Sequence, residues 1–133
     1  MAKTLNIGDK ASLSKAFTAE DVEQFARLSI DANPLHLDEA AAADSVFGRR
    51  VVHGALVSSL FSALLGMELP GEGTIYLGQT SSFKAPVFLD EEITATVEVT
   101  EVREARGIAK LKTTAVNSAG KTVITGEATV KFA

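Results

Sequence analysis

The chain has 133 residues, 46% of them apolar and 23% charged, with no Cys, no Trp, two His and a formal net charge of −4. That length holds one ordinary domain, residues 1–133, and its apolar content excludes a disordered or low-complexity chain. The acidic balance leaves no global field to draw nucleic acid or an anionic membrane. The absence of Cys excludes disulfide scaffolds, thiolate metal sites and a cysteine nucleophile, and it suits a reducing cytoplasm.

The opening MAKTLNIGDK has no apolar core behind its basic residues and does not read as a signal peptide. Residues 11–17 alternate weakly and give a first strand. At Thr18 the period changes: Thr18 and Asp21 form a capping box with the shorter carboxylate, and Val22, Phe25, Ala26 and Ser29 follow at helical spacing to near Ile30. Pro34 disfavours helix in the residue before it, so the chain turns between Asp31 and Leu35. A short Ala-rich helix over 38–44 and a loop through Phe47, Gly48, Arg49 and Arg50 come next.

The second long helix starts at His53 or Gly54 and runs to about Leu65. Its apolar residues cover nearly the whole circumference, which marks a buried helix. Residues 51–65 are too few, and too polar at His53, Ser58, Ser59 and Ser62, to span a bilayer. Extended segments follow at 75–83, 93–100, 108–117 and 124–132, the middle ones alternating as half-buried strands. About five mostly antiparallel strands curled around one long central helix make an α+β, hot-dog-like layout. Its exposed edge strand favours dimerisation.

The two histidines stand in two short segments, Asp31-Ala-Asn33-Pro34-Leu35-His36 and Val52-His53-Gly54. A carboxylate and an imidazole held close together can hold one water, take its proton and deliver a proton nearby. Asp31 lies just past a helix C-terminus, whose carbonyl end disfavours its charge and favours its acting as a base. The same residues have a plainer reading: Asn33 as N-cap with Pro34 in the first turn, Asp31 as a solvated turn carboxylate, His36 as a loop histidine. Gly54 opens the buried helix, whose first N–H groups lack partners and can polarise a thioester carbonyl. It serves equally well to let helix and sheet pack tightly. A cation is disfavoured at that helix end, so His53 reads as structural.

Other chemistry is poorly served. Two histidines seventeen positions apart without Cys make a poor metal site. Pro70-Gly71-Glu72-Gly73 is a turn and no phosphate loop, and Ser58, Ser59 and Ser62 lack a nucleophile-elbow context. Arg49, Arg50 and Lys84 read as exposed cations, with contact to an anionic cofactor tail as the alternative.

DANPLHLD followed by VVHGALVSSLFSALLG, with PGEGTIYLGQTSSFKAPVFLDEEITATVEV and the terminal TGEATVKF, resembles the MaoC-like hydratases, the R-specific enoyl-CoA hydratases. It is particularly similar to the short bacterial members that supply polyhydroxyalkanoate synthesis. The resemblance implies a hot-dog fold working as a homodimer, and a lyase that hydrates trans-2-enoyl-CoA to the R-3-hydroxyacyl-CoA without cofactor or metal. By motif position, Asp31 and His36 would be the catalytic pair, Asn33 would orient them, and Gly54 would offer its N–H to the thioester oxygen. The acyl chain would run along the buried helix, lined by Ser62, Leu65 and Val130. Three positions depart from the family pattern: Ile30 where many members have Gly, Arg50 where Pro is frequent, and Ala55 where Met is frequent. A hot-dog acyl-CoA thioesterase and a non-catalytic acyl-carrier or lipid-binding subunit are the alternatives. The D-x-N-P-x-H element weighs toward hydration, since a pure binder has no need of it.

Overall fold

A computed structural model describes residues 4–132. The outermost ends of the expected domain, with the first three residues of MAKTLNIGDK, lie outside the described residues. Lys10–Ala16 forms β1 and Ala19–Ser29 forms α1. The capping box is present: Thr18 Oγ1 accepts from the Asp21 N–H at 3.2 Å and Asp21 Oδ2 accepts from the Thr18 N–H at 3.0 Å. Such a cap contributes about 1 kcal/mol. The Thr18 N–H, with Lys15 nearby, holds the Asp21 carboxyl below its ordinary value. Two short helices follow, α2 (Pro34–Leu37) and α3 (Glu39–Ala43), and then the long α4 (Gly54–Met67). The remaining strands are β2 (Ile75–Phe83), β3 (Glu92–Arg103), β4 (Ile108–Asn117) and β5 (Thr122–Lys131).

These strands make one sheet in the order β1-β3-β4-β5-β2, with every neighbouring pair antiparallel. The alternation in β3 and β4 puts Ile93, Ala95, Val97, Val99, Ala109, Leu111 and Ala115 on the inner face, each at most 1% exposed. Against that face α4 lays Val57, Leu60, Phe61, Leu64 and Leu65. Each such side chain contributes about 1.5–3 kcal/mol on burial.

One expectation needs correcting. The helix α4 is not enclosed all round: Ala55, Ser59, Ser62 and Ala63 form an exposed stripe. Five strands curl around only part of a helix, and the stripe they leave uncovered is the one whose residues are small or polar, so exposing it costs little. The sheet's outer strand β2 is likewise open, with Ile75 54%, Leu77 53% and Phe83 59% exposed. Among the described residues, no helix is long and apolar enough to cross a membrane.

Candidate active site

The first site segment is a chain of local hydrogen bonds. Helix α1 stops because Ile30 adopts φ 70°, the left-handed region. The Ser29 hydroxyl then accepts from the Asp31 N–H at 3.1 Å, Asp31 Oδ1 from the Asn33 N–H at 3.2 Å, and Asn33 Oδ1 from the Leu35 N–H at 3.1 Å. Asn33 is thus the N-cap of α2, with Pro34 in its first turn, and it delivers His36 one turn later. Ile30 explains a departure seen in the sequence: glycine adopts this backbone freely, whereas a side chain there costs roughly 1–2 kcal/mol. Ile30 is 87% exposed and buries little in return. The variant Ile30→Gly is therefore expected to stabilise the fold by about 1 kcal/mol in urea unfolding, after the extra freedom of its unfolded chain is subtracted. An unchanged or lowered midpoint would show that the strain is relieved elsewhere.

The second segment arrives beside the first. Val51 N–H donates to Leu35 O at 3.2 Å and Val52 N–H to Val87 O at 2.8 Å, which ties residues 51–52 between α2 and the segment after β2. His36 Nδ1 lies 2.7 Å from Val51 O. A carbonyl only accepts, so Nδ1 carries the hydrogen and Nε2 is left for other chemistry. His53 Nε2 donates to the main-chain oxygen of Asp31 at 2.9 Å, and its ring is buried. The His36 and His53 rings stack with centroids 3.8 Å apart, and Phe25 meets His53 edge-on at 4.8 Å. His53 thus braces the loop that carries Asp31, in keeping with a structural role.

A carboxylate oxygen of Asp31 and one ring nitrogen each from His36 and His53 lie within 4.8 Å of one another. One water spans such a gap with two hydrogen bonds of about 2.8 Å. A metal fits less well. Zinc at about 2.0–2.1 Å from each ligand needs convergent lone pairs, yet each imidazole has one nitrogen committed to a main-chain carbonyl, which leaves a single nitrogen on each for a metal.

Helix α4 starts at Gly54 with no side chain capping it, so its first N–H groups stay available. Gly54, Ala55 and His36 line a cavity of about 570 Å³, within the range of small-molecule sites. Its other walls are mainly apolar, with Leu35, Val57, Phe83 and Ile124 among them, and Lys84 supplies a cation. Gly54 answers both readings at once. A Cβ there would lie 2.7 Å from the Phe83 ring, so glycine makes room for that ring as well as baring the helix end.

The structure therefore brings His36 and Gly54 to one cavity, places exposed Asp31 beside His36, and uses Asn33 to orient the turn. It does not bring Ser62, Leu65 or Val130 there. Leu65 and Val130 are packed into the core, 1% and 0% exposed, and Ser62 lies on the open stripe of α4. Of the three cations read as exposed, Arg49 lies over the Phe88 ring at 3.8 Å and Lys84 is exposed at the cavity. Arg50 is the correction: only 9% exposed, it donates from Nε to His36 O at 2.7 Å. Sequence reasoning also missed Phe83, whose contact with Gly54 is made across the fold and leaves no local signal.

A hot-dog fold with a carboxylate beside an imidazole and uncapped backbone donors at the mouth of its helix is what the chain builds. The MaoC like domain matches residues 3–121. The (R)-specific enoyl-CoA hydratase of Aeromonas caviae is 56% identical over 131 residues, covering 98% of each chain. Among solved structures, the A. caviae (R)-hydratase involved in PHA biosynthesis superposes with a TM-score of 0.96 at 55% identity, over 99% of this chain and 100% of that one. The R-hydratase PhaJ1 from Pseudomonas aeruginosa, in its unliganded form, gives 0.91 at 41%, over 96% and 82%. The chain belongs to the MaoC-like domain family.

Proposed function

We propose that this chain is an R-specific enoyl-CoA hydratase, adding water reversibly to trans-2-enoyl-CoA to give the (R)-3-hydroxyacyl-CoA. The observation that carries the reading is the meeting of His36 and the uncapped start of α4 at one apolar cavity, with the Asp31 carboxylate beside His36. The thioester oxygen docks on the Gly54 N–H. Asp31 takes a proton from water as the water oxygen bonds to C3, and the C2=C3 electron pair moves onto the thioester oxygen as an enolate. His36, entering the cycle with a proton on Nε2 as well as on Nδ1, holds the water and delivers the Nε2 proton to C2 as the carbonyl reforms. One proton leaves the water and one reaches C2, so the pair is restored when a proton passes between the two side chains. Backbone donors at the helix mouth act where charge develops, stabilising the enolate more than the ground state. Nothing in these steps calls for a cofactor.

The acyl chain passes Gly54 toward Val57 and Ile124; a chain long enough to reach Leu65 and Val130 has to displace core packing. A homodimer is part of the proposal, supported by the open edge strand β2, whose exposed Ile75, Leu77 and Phe83 a second copy would cover. A cytoplasmic place, a single-domain enzyme and supply of monomers for polyhydroxyalkanoate synthesis complete the reading, in keeping with the printed role of the A. caviae relative. The test is to mix purified protein with crotonyl-CoA and follow the enoyl-thioester absorbance beside free thiol. Loss of conjugation without thiol is expected. Thiol release would instead make it a thioesterase, and neither signal a non-catalytic acyl binder.

A further inference from the structure

Arg50 is a buried cation beside the site that the hydration steps leave unused. A guanidinium removed from water needs partners, because burying it unpaired costs several kcal/mol. Here Nε donates to the main-chain oxygen of His36 at 2.7 Å, and the NH1 nitrogen reaches Glu39 Oε1 at 3.4 Å. The Glu39 side chain is 77% exposed, so that ion pair alone gives a weak return for the burial. The short bond is the one to His36. It satisfies a carbonyl near the end of α2, where four-residue helices leave their acceptors without intrahelical donors.

Adjacent residues complete the hold. Arg50 grips the His36 main chain, the Val51 carbonyl grips its ring at Nδ1, and the Val51 N–H grips Leu35 O, all within 3.2 Å. Two consecutive residues thus hold the main chain and the ring of one histidine. We propose that Arg50 is a positioning residue for His36, setting where Nε2 points without touching substrate. The idea rests on the hydratase reading for its kinetic consequence, and on geometry alone for the placement of the ring.

The full-length chain carrying Arg50→Met or Arg50→Lys tests it. Two readouts are needed: kcat and KM for crotonyl-CoA, and the NMR signal of the His36 Nδ1–H without substrate. With Met, kcat is expected to fall about 10-fold while KM stays within about twofold, since misplacing a catalytic group harms the chemical step more than binding. The Nδ1–H signal should exchange with water faster than in the parent. Lys carries a single compact ammonium instead of a planar fork, so it is expected to recover only part of kcat. Should Met fail to fold, Lys carries both readouts. An unchanged kcat with a raised KM would overturn the proposal and make Arg50 a contact for the anionic CoA tail; an unchanged Nδ1–H signal in a folded variant would overturn it as well. Because the ring signal needs no substrate, a parent protein inactive on crotonyl-CoA would sink the hydratase reading separately from this one.

Discussion

Asp31→Asn and His36→Ala are each expected to cut turnover of crotonyl-CoA by at least ~100-fold, the lower range for a general acid or base. Asn keeps the size of the side chain and its oxygen can still accept the Asn33 N–H, so the turn survives while the charged acceptor for the water's proton is gone. Ala at position 36 removes the ring that Val51 O holds and His53 stacks on, opening space beside the cavity without disturbing the sheet. Both losses should fall on kcat, because neither group is needed to dock the thioester on the start of α4. Circular dichroism would establish that each variant is folded. If either then kept near-parental turnover, the assignment of the pair would be wrong.

The largest loss of stability is expected at Gly126. A Cβ added there lies 1.9 Å from the carbonyl oxygen of Thr80 and 3.1 Å from Gln79 Nε2. The first is main chain of the paired strand and cannot swing away. The second belongs to a side chain that crosses over the glycine: Gln79 Nε2 donates to Thr80 O at 2.7 Å and to the buried Thr113 hydroxyl at 3.0 Å, while Tyr76 donates its hydroxyl to Gln79 Oε1. Gly126→Ala must therefore prise β2 from β5 or break this network. The expected cost is about 3 kcal/mol, roughly 10 °C in melting temperature for a chain of this size. A melting point within about 2 °C of the parent would mean that the strands part more easily than their pairing indicates.

Much of this was legible from residues alone, and the reasons differ by element. Thr18 with Asp21, Asn33 with Pro34, and the alternation along β3 are local signals, and each reappears where its spacing put it. The enclosure of α4 was overread, because composition around a helix does not reveal how far a sheet will curl. Ala55, Ser59 and Ser62 are compatible with either a tight interior or an open face. The stacking of His36 on His53 had no sequence signal at seventeen residues' separation; it follows from the bonds of Val51 to α2. Arg50 was misread for a related reason. Nothing beside it in the chain shows that a helix-end carbonyl waits within reach. Ser62 and Leu65, three apart on α4, could by spacing face one cavity or simply pack; neither they nor Val130 are among the residues that line the cavity at Gly54.

The bare start of α4 has a meaning for anyone who tries to improve this protein. A Ser, Thr, Asp or Asn at position 53 would cap the helix for about 1 kcal/mol, but it would give up the buried His53 ring and its bond to the Asp31 main chain. It would also take for itself the N–H groups that a substrate oxygen is meant to find. The helix is left unfinished by its own chain, and in the proposed reaction the thioester oxygen is what completes it.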